Sequence, residues 1–164
     1  MKKKKRQVTD LETIKEFVAE TQVARLAFFD EEYPYIVPVN FAEKWQEDQL
    51  ILYIHGAKDG KKIDLIKKNP KVAIEMDGKH ELIATGRNAA GYSYAYQSLI
   101  GFGEVEIIEE LAEKRQALED LMAHAAPMAE YDEIPEKMIK ITGILKITLN
   151  SYTMKQNPPK KTSN

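Results

Sequence analysis

Two adjacent lysines, Lys61 and Lys62, stand at the beginning of a short predicted helix and could hold an anion such as a phosphate. An apolar run of β-branched and aromatic residues at 50–54 predicts a strand before them, and a polar loop containing Gly60 joins strand to helix. A helix N-terminus offers free backbone N–H groups and a partial positive charge. Lysines are poor partners for that end of the helix dipole, so an anion between them and the helix would explain their position.

Two other interpretations of these residues stay open at this point. Pairs of lysines on short surface helices are commonly solvated charges. Asp59 occupies the position of an N-cap, from which its carboxylate could fill the anion position itself. The residues alone therefore allow a phosphate site, a capped helix without a ligand, or a solvated lysine pair.

The remaining side chains offer little chemistry of their own. The sequence contains no cysteine and no Gly-x-Ser-x-Gly motif, and no Gly-x-Gly-x-x-Gly motif follows a predicted strand. Its histidines, His55, His80 and His124, lie in different predicted elements without the spacing of metal ligands. If the protein carries out redox chemistry, a bound cofactor must supply it.

The elements around the lysine pair predict one mainly β domain with flanking helices, built as a small barrel. Pro34 and Pro38 remove ladder donors from one strand, which places it at an edge, at a bulge or against a ligand. Gly101 and Gly103 interrupt another strand, as at a barrel bend or a ligand contact. Strands are predicted at 23–29, 33–41, 50–54, 72–76, 96–108 and 143–152, and the two long helices at 9–20 and 109–126.

Three stretches are harder to interpret. Residues 42–49 are predicted to be a polar loop, and residues 77–91 a long excursion close to a ligand. Tyr92, Tyr94 and Tyr96 alternate at strand period, so their rings share one face. That face could cover a ligand, contact a partner subunit or pack against the barrel.

Four segments, in order along the chain, resemble the FMN-binding split-barrel proteins of the pyridoxamine 5'-phosphate oxidase-like superfamily. Within it they are most similar to the nitroimidazole-resistance (Nim) proteins. The segments are YPYIVPVNF at 33–41, HGAKDGKKIDLIKKNPKVAIEMD at 55–77, YQSLIGFGEVEII at 96–108 and EKRQALEDLMAHAA at 113–126. The resemblance covers most of the chain from about Val23 onwards and implies a mainly β fold with flanking α-helices, a six-stranded antiparallel split β-barrel.

The resemblance also implies the roles of individual residues. His55 would lie beside an FMN cofactor and act as the catalytic residue, and Lys61 and Lys62 would neutralise the FMN phosphate. The family usually has Ser or Thr where this chain has Gly56, so one hydroxyl contact to the phosphate is missing. The implied cofactor-binding residues are Val37, Pro38, Val39 and Asn40, whose backbone would bind the ring edge, with His55, Gly56, Gly60, Lys61, Lys62 and Ser98.

On this resemblance we expect a homodimeric FMN-dependent oxidoreductase with FMN at the subunit interface. It would pass electrons from NADH or NADPH to a small organic acceptor, which in Nim proteins is implied to be a nitroaromatic. One alternative is another flavin- or haem-using enzyme on this fold, such as pyridoxamine phosphate oxidase, although the Arg-rich C-terminal segment expected for that enzyme is absent. The other alternative is a non-catalytic flavin-binding protein.

Composition limits the partners and the cellular compartment that we expect for this protein. The formal net charge of −2 gives no overall field for nucleic acid, and no apolar run is long enough to span a membrane. The absence of cysteine fits a reducing compartment, so a cytoplasmic protein without nucleic-acid or membrane partners is expected. The expected organisation is a disordered basic tail at 1–8, one domain at 9–155 and a mobile tail at 156–164.

Overall fold

One antiparallel sheet forms the body of the protein in a computed structural model that describes residues 4–159. Its strands are β1 (Gln7–Val8), β2 (Ala24–Phe28), β3 (Tyr35–Val39), β4 (Ala42–Gln46), β5 (Gln49–Gly56), β6 (Lys71–Ile83), β7 (Ser93–Ile108) and β8 (Gly143–Asn157). The helices are α1 (Leu11–Glu20), α2 (Lys61–Lys68), α3 (Leu111–Ala125) and α4 (Glu136–Ile141). None of the helices in this range is long and apolar enough to cross a membrane.

The sheet is a split barrel, as predicted, but the strand count differs. The strands follow the order β3-β2-β6-β7-β8-β5-β4, and β1 pairs with β8, so the described range contains eight strands where six were expected. The sheet does not close, because β3 and β4 end it on opposite sides. The extra strand β4 lies in the predicted polar loop and forms a tight hairpin with β5 through Glu47, whose φ is 57°.

The strands also run further than their sequence patterns indicated. The first part of the predicted excursion, 77–83, continues β6, which pairs with β7 as far as Ile83 opposite Ser93, and residues 84–91 form the connection between these strands. The ordered sheet exceeds the predicted 9–155 domain at both ends, because Gln7 pairs with Lys155 and β8 continues to Asn157. The predicted tail residues 1–3 and 160–164 lie outside the described residues.

Two apolar clusters use opposite faces of β5. Leu50, Leu52 and Ile54 belong to the barrel core, whereas Ile51 and Tyr53 pack against α3. Burial on both faces explains why this strand is a continuous apolar run instead of an alternating one. Each such side chain contributes roughly 1.5–3 kcal/mol when fully buried. Because side chains alternate along a strand, the next residue in the Ile51–Tyr53 series, His55, is directed to the α3 side of the sheet.

Gly103 is required where β7 meets β8. The register between these strands shifts between Phe102 and Gly103. A Cβ at position 103 would lie 2.2 Å from the Thr148 carbonyl oxygen, which is a backbone atom that cannot move aside. The predicted glycine at a barrel bend is therefore a point of close contact between two backbones.

We predict that Gly103→Ala lowers the free energy of unfolding by roughly 1–3 kcal/mol or more, the range for forcing an extra carbon into a packed site. The matched control is Gly78→Ala, because its new Cβ would meet only the Phe17 ring at 3.7 Å, an ordinary contact. Urea denaturation of both variants measures the difference. Equal stability of the two variants would show that the strands can separate at Gly103 without cost.

Candidate functional site

The N-terminus of α2 has no side-chain cap. Gly60 is the N-cap residue, with φ 101° and ψ 173°, and the first helical bond runs from the Asp64 N–H to the Gly60 carbonyl at 3.1 Å. The interpretation in which Asp59 caps this helix is therefore wrong. A positive φ favours glycine, which explains the residue type at this turn. The free N–H groups of the first turn remain available to an anion.

The two lysines of the first turn have different surroundings. The Lys61 Nζ lies 2.6 Å from Asp30 Oδ2 and 4.9 Å from the centre of the Tyr35 ring. Asp30 raises the pKa of Lys61, so this cation already has a counter-ion. Lys61, like Lys62, was predicted to neutralise a phosphate, and in this structure its ammonium group pairs with Asp30.

Lys62 differs from Lys61 in having no counter-ion among the described residues. Its side chain is partly buried, burial lowers its pKa, and no carboxylate within residues 4–159 pairs with it. A buried ammonium group without a counter-ion is unfavourable, and a bound anion would relieve that cost. Its Nζ lies 3.5 Å from the position of a Cβ built on Gly56, so glycine at this position leaves the space above the ammonium group open.

A cleft of about 580 Å³ lies beyond the end of β5. It is bounded by α3, α4 and the connection between them. His55 and Asn40, both predicted site residues, line this cleft, and His55 is exposed. The wall is mainly apolar and includes Phe41, Leu118, Leu121, Met122, Pro135 and Met138. Concave apolar surfaces with a few polar groups are typical of small-molecule sites.

His124, in the last turn of α3, also lines this cleft. Its Nδ1 lies 2.5 Å from Glu43 Oε2, and its Nε2 lies 2.8 Å from the Thr21 carbonyl oxygen. The side chain is only 5 % exposed. The bond to Glu43 is the main cause of a raised pKa for His124, with a further contribution from the Thr21 carbonyl. Sequence reasoning missed the pair because its members come from distant segments.

The other predicted residues lie on the sheet, away from the cleft lining. Val37, Pro38 and Val39 are on β3, an edge strand that pairs with β2. Ser98 is on β7 opposite Asp77 and faces outwards, since its neighbour Leu99 is buried in the core. Within one chain, the structure thus brings His55 and Asn40 together in the cleft, and Gly56, Gly60 and Lys62 beside the start of α2.

Comparison with protein families gives a match to pyridoxamine 5'-phosphate oxidase over residues 10–156. The chain belongs to this family. The match includes all four helices and the strands from β2 to β8, up to residue 156, and leaves out β1. A comparison with curated proteins found no match.

Solved structures of other proteins share the family fold. A candidate 5-nitroimidazole antibiotic resistance protein from Bacteroides thetaiotaomicron is 26% identical, with a TM-score of 0.78 over 92% of this chain and 86% of that one. The FAD and heme binding protein from Mycobacterium smegmatis is 21% identical, with a TM-score of 0.78 over 95% and 76%. The flavocytochrome Anf3 from Azotobacter vinelandii is 20% identical, with a TM-score of 0.74 over 93% and 71%.

We predict that the His124–Glu43 pair makes stability depend on pH. Because the folded protein holds the His124 proton more tightly than the unfolded chain, the contribution is complete below the ordinary value of 6.5 and is lost as pH rises through the raised pKa. Glu43→Gln should therefore cost roughly 1.5–3 kcal/mol at pH 6, the range for a hydrogen bond to a charged group, and much less at pH 9.

Chemical denaturation at several pH values measures this difference. The exposed Lys140–Glu136 pair provides the control, because Glu136→Gln should have a small effect that changes little over the same range. A cost of Glu43→Gln that stays constant from pH 6 to pH 9 would contradict an ionic role for the pair.

Proposed function

We propose that the protein is an FMN-dependent oxidoreductase that reduces a small organic acceptor. The observation that carries the proposal is the partly buried Lys62 ammonium group beside the uncapped start of α2. One cation and one helix N-terminus together suit a single phosphate group. Because Lys61 is engaged by Asp30, Lys62 is the residue that would neutralise the phosphate.

The cleft supports the same proposal. Its lining includes His55, and the next residue, Gly56, faces Lys62, so the cleft and the cation lie at the same end of β5. FMN, when bound, supplies two-electron transfer between a nicotinamide donor, NADH or NADPH, and the acceptor. His55 would contribute a hydrogen-bonding group beside the reacting atoms, and the apolar wall would exclude water.

The similar structures favour a flavoprotein over other uses of the fold. Two of them are named for FAD, heme or a flavocytochrome, and one for resistance to 5-nitroimidazole antibiotics. We therefore propose a nitroaromatic compound as the acceptor. Repeated oxidation of NADH or NADPH by the FMN-loaded protein in the presence of a nitroimidazole would support an enzyme, whereas bound flavin without turnover would favour a non-catalytic flavin-binding protein.

We further propose that the protein is a homodimer with FMN at the subunit interface. The outer face of β2, β3 and β7 and the loop after β2 exposes five large apolar side chains: Phe29 64%, Tyr33 71%, Ile36 60%, Ile100 44% and Phe102 57%. A groove of about 400 Å³ lies among several of them. Contiguous apolar surface of this kind is characteristic of interfaces.

The same surface would bring the remaining predicted residues to the site. Ser98 faces outwards on β7 together with Ile100 and Phe102, and Pro38 lies in a row of outward-facing residues with Arg25 and Ile100. In a two-fold dimer, these residues of one subunit would lie at the interface with its partner. The tyrosines predicted to share one face lie nearer the start of β7 than Ile100 and Phe102 do. Of these, Tyr94 is exposed, and Tyr96 receives a hydrogen bond from Arg6 at 3.4 Å.

We predict that Lys62→Ala weakens FMN binding by roughly 1.5–3 kcal/mol, as expected for a hydrogen bond to a charged group, and leaves riboflavin binding unchanged. Lys61→Ala is the matched control, because its partner is Asp30, and it should change FMN affinity by less than about twofold. Fluorescence titration with both flavins measures the effects.

Circular dichroism shows whether the Lys62→Ala variant keeps its fold. Equal affinity of the wild-type protein for FMN and riboflavin would refute the phosphate site. Unfolding of the variant would assign Lys62 a structural role instead.

We predict that Phe102→Lys converts the dimer to a monomer that no longer retains FMN. The charge would have to be buried at the centre of an apolar interface, which is unfavourable. Tyr94→Lys serves as the control, because Tyr94 is equally exposed, at 59%, but lies near the other end of β7. Sedimentation at low micromolar concentration gives both the mass and the bound flavin. A wild-type monomer that retains FMN would rule out the shared site.

A further inference from the structure

Two consecutive carbonyl groups after α1 accept hydrogen bonds from side chains of different elements. The Thr21 carbonyl accepts from His124 Nε2 at 2.8 Å, and the Gln22 carbonyl accepts from Asn40 Nδ2 at 2.8 Å. Gln22, Asn40 and His124 all line the cleft. This short segment therefore links the end of α3 to a polar group at the cleft surface.

His124, at one end of this link, is held in place by further contacts of its ring. Its Nδ1 meets the Glu43 carboxylate at 2.5 Å, and its ring lies 4.9 Å from the Phe41 ring, centre to centre. An imidazole that contacts a carboxylate with one nitrogen and a carbonyl with the other carries a proton on both. The Thr21 hydroxyl donates to the Phe17 carbonyl at 2.7 Å, so the segment is also anchored to the last turn of α1.

The orientation of the Asn40 carboxamide follows from its partner. A carbonyl oxygen only accepts, so the amide nitrogen of Asn40 must face Gln22. The amide oxygen is then the end left to accept a hydrogen bond from a ligand. A ring with an N–H donor, such as the imide of a flavin, has the complementary group.

We infer that His124 is a positioning residue for ligand binding, which fixes the Thr21–Gln22 segment and, through it, the acceptor oxygen of Asn40 in the cleft. The inference rests on the proposed function for the identity of the ligand, FMN. The role of His124 itself rests on contacts within the chain.

Two substitutions separate this role from simple packing. The amide nitrogen of glutamine in His124→Gln can occupy the place of Nε2 and donate to Thr21, whereas His124→Asn reaches only as far as Nδ1. We expect His124→Asn to weaken FMN binding about tenfold, the effect of one hydrogen bond, and His124→Gln to stay within about threefold of wild type. If His124→Asn does not fold, His124→Phe keeps a ring in the same space without a donor.

A double-mutant cycle tests whether His124 affects FMN binding through Asn40. In an Asn40→Ala background, His124→Asn should reduce FMN affinity by less than about twofold, because the group it positions is gone. In the flavin-free protein, the side-chain amide NMR signals of Asn40 should shift in His124→Asn and return towards their wild-type positions in His124→Gln.

Each outcome has a distinct meaning. Equal losses in the Gln and Asn variants, additive losses in the cycle, or unmoved Asn40 signals would overturn the positioning role. Failure of the wild-type protein to bind FMN, with the expected Asn40 signals, would support positioning of Asn40 and overturn the proposed function.

Discussion

The contact between the β7 and β8 backbones at Gly103 is the constraint on which the rest of the sheet depends. These two strands lie in the middle of the sheet order, so the backbone hydrogen-bond ladder from the β3 side to the β4 side passes through their pairing. A shift in register along this pair would move β5, and with it His55, relative to β6 and the outward-facing Ser98. The absence of a side chain at one position thus keeps the two halves of the site in a fixed relation.

The difference between Lys61 and Lys62 follows from helix geometry. Successive residues on an α-helix point about 100° apart, so two adjacent lysines cannot share the same surroundings. One reaches Asp30 on the loop after β2, and the other turns to the end of β5. The chain thereby separates a surface ion pair from a cation that has no carboxylate partner within residues 4–159, and the second is the one we propose for ligand binding.

The sequence was sufficient for the fold family, through the resemblance of four segments, and for the positions of β5 and α2, because their apolar patterns are local. It was insufficient for β4, in which Glu43, Lys44 and Gln46 are polar and only Ala42 and Trp45 are apolar. It also placed the helix cap at Asp59 instead of Gly60, since a glycine cap has no side chain to signal it. The His124–Glu43 pair and the cleft wall join distant segments, so no spacing in the sequence could indicate them.

The cleft combines residues of the barrel with residues of the helices that flank it. Its floor, at Asn40 and His55, belongs to the barrel, whereas much of its wall belongs to α3, α4 and their connection, with Met138 and Tyr131 about half exposed. Substitutions at those two positions leave every strand pairing intact. The shape and polarity of this pocket can therefore change in evolution while the barrel and the start of α2 stay unchanged.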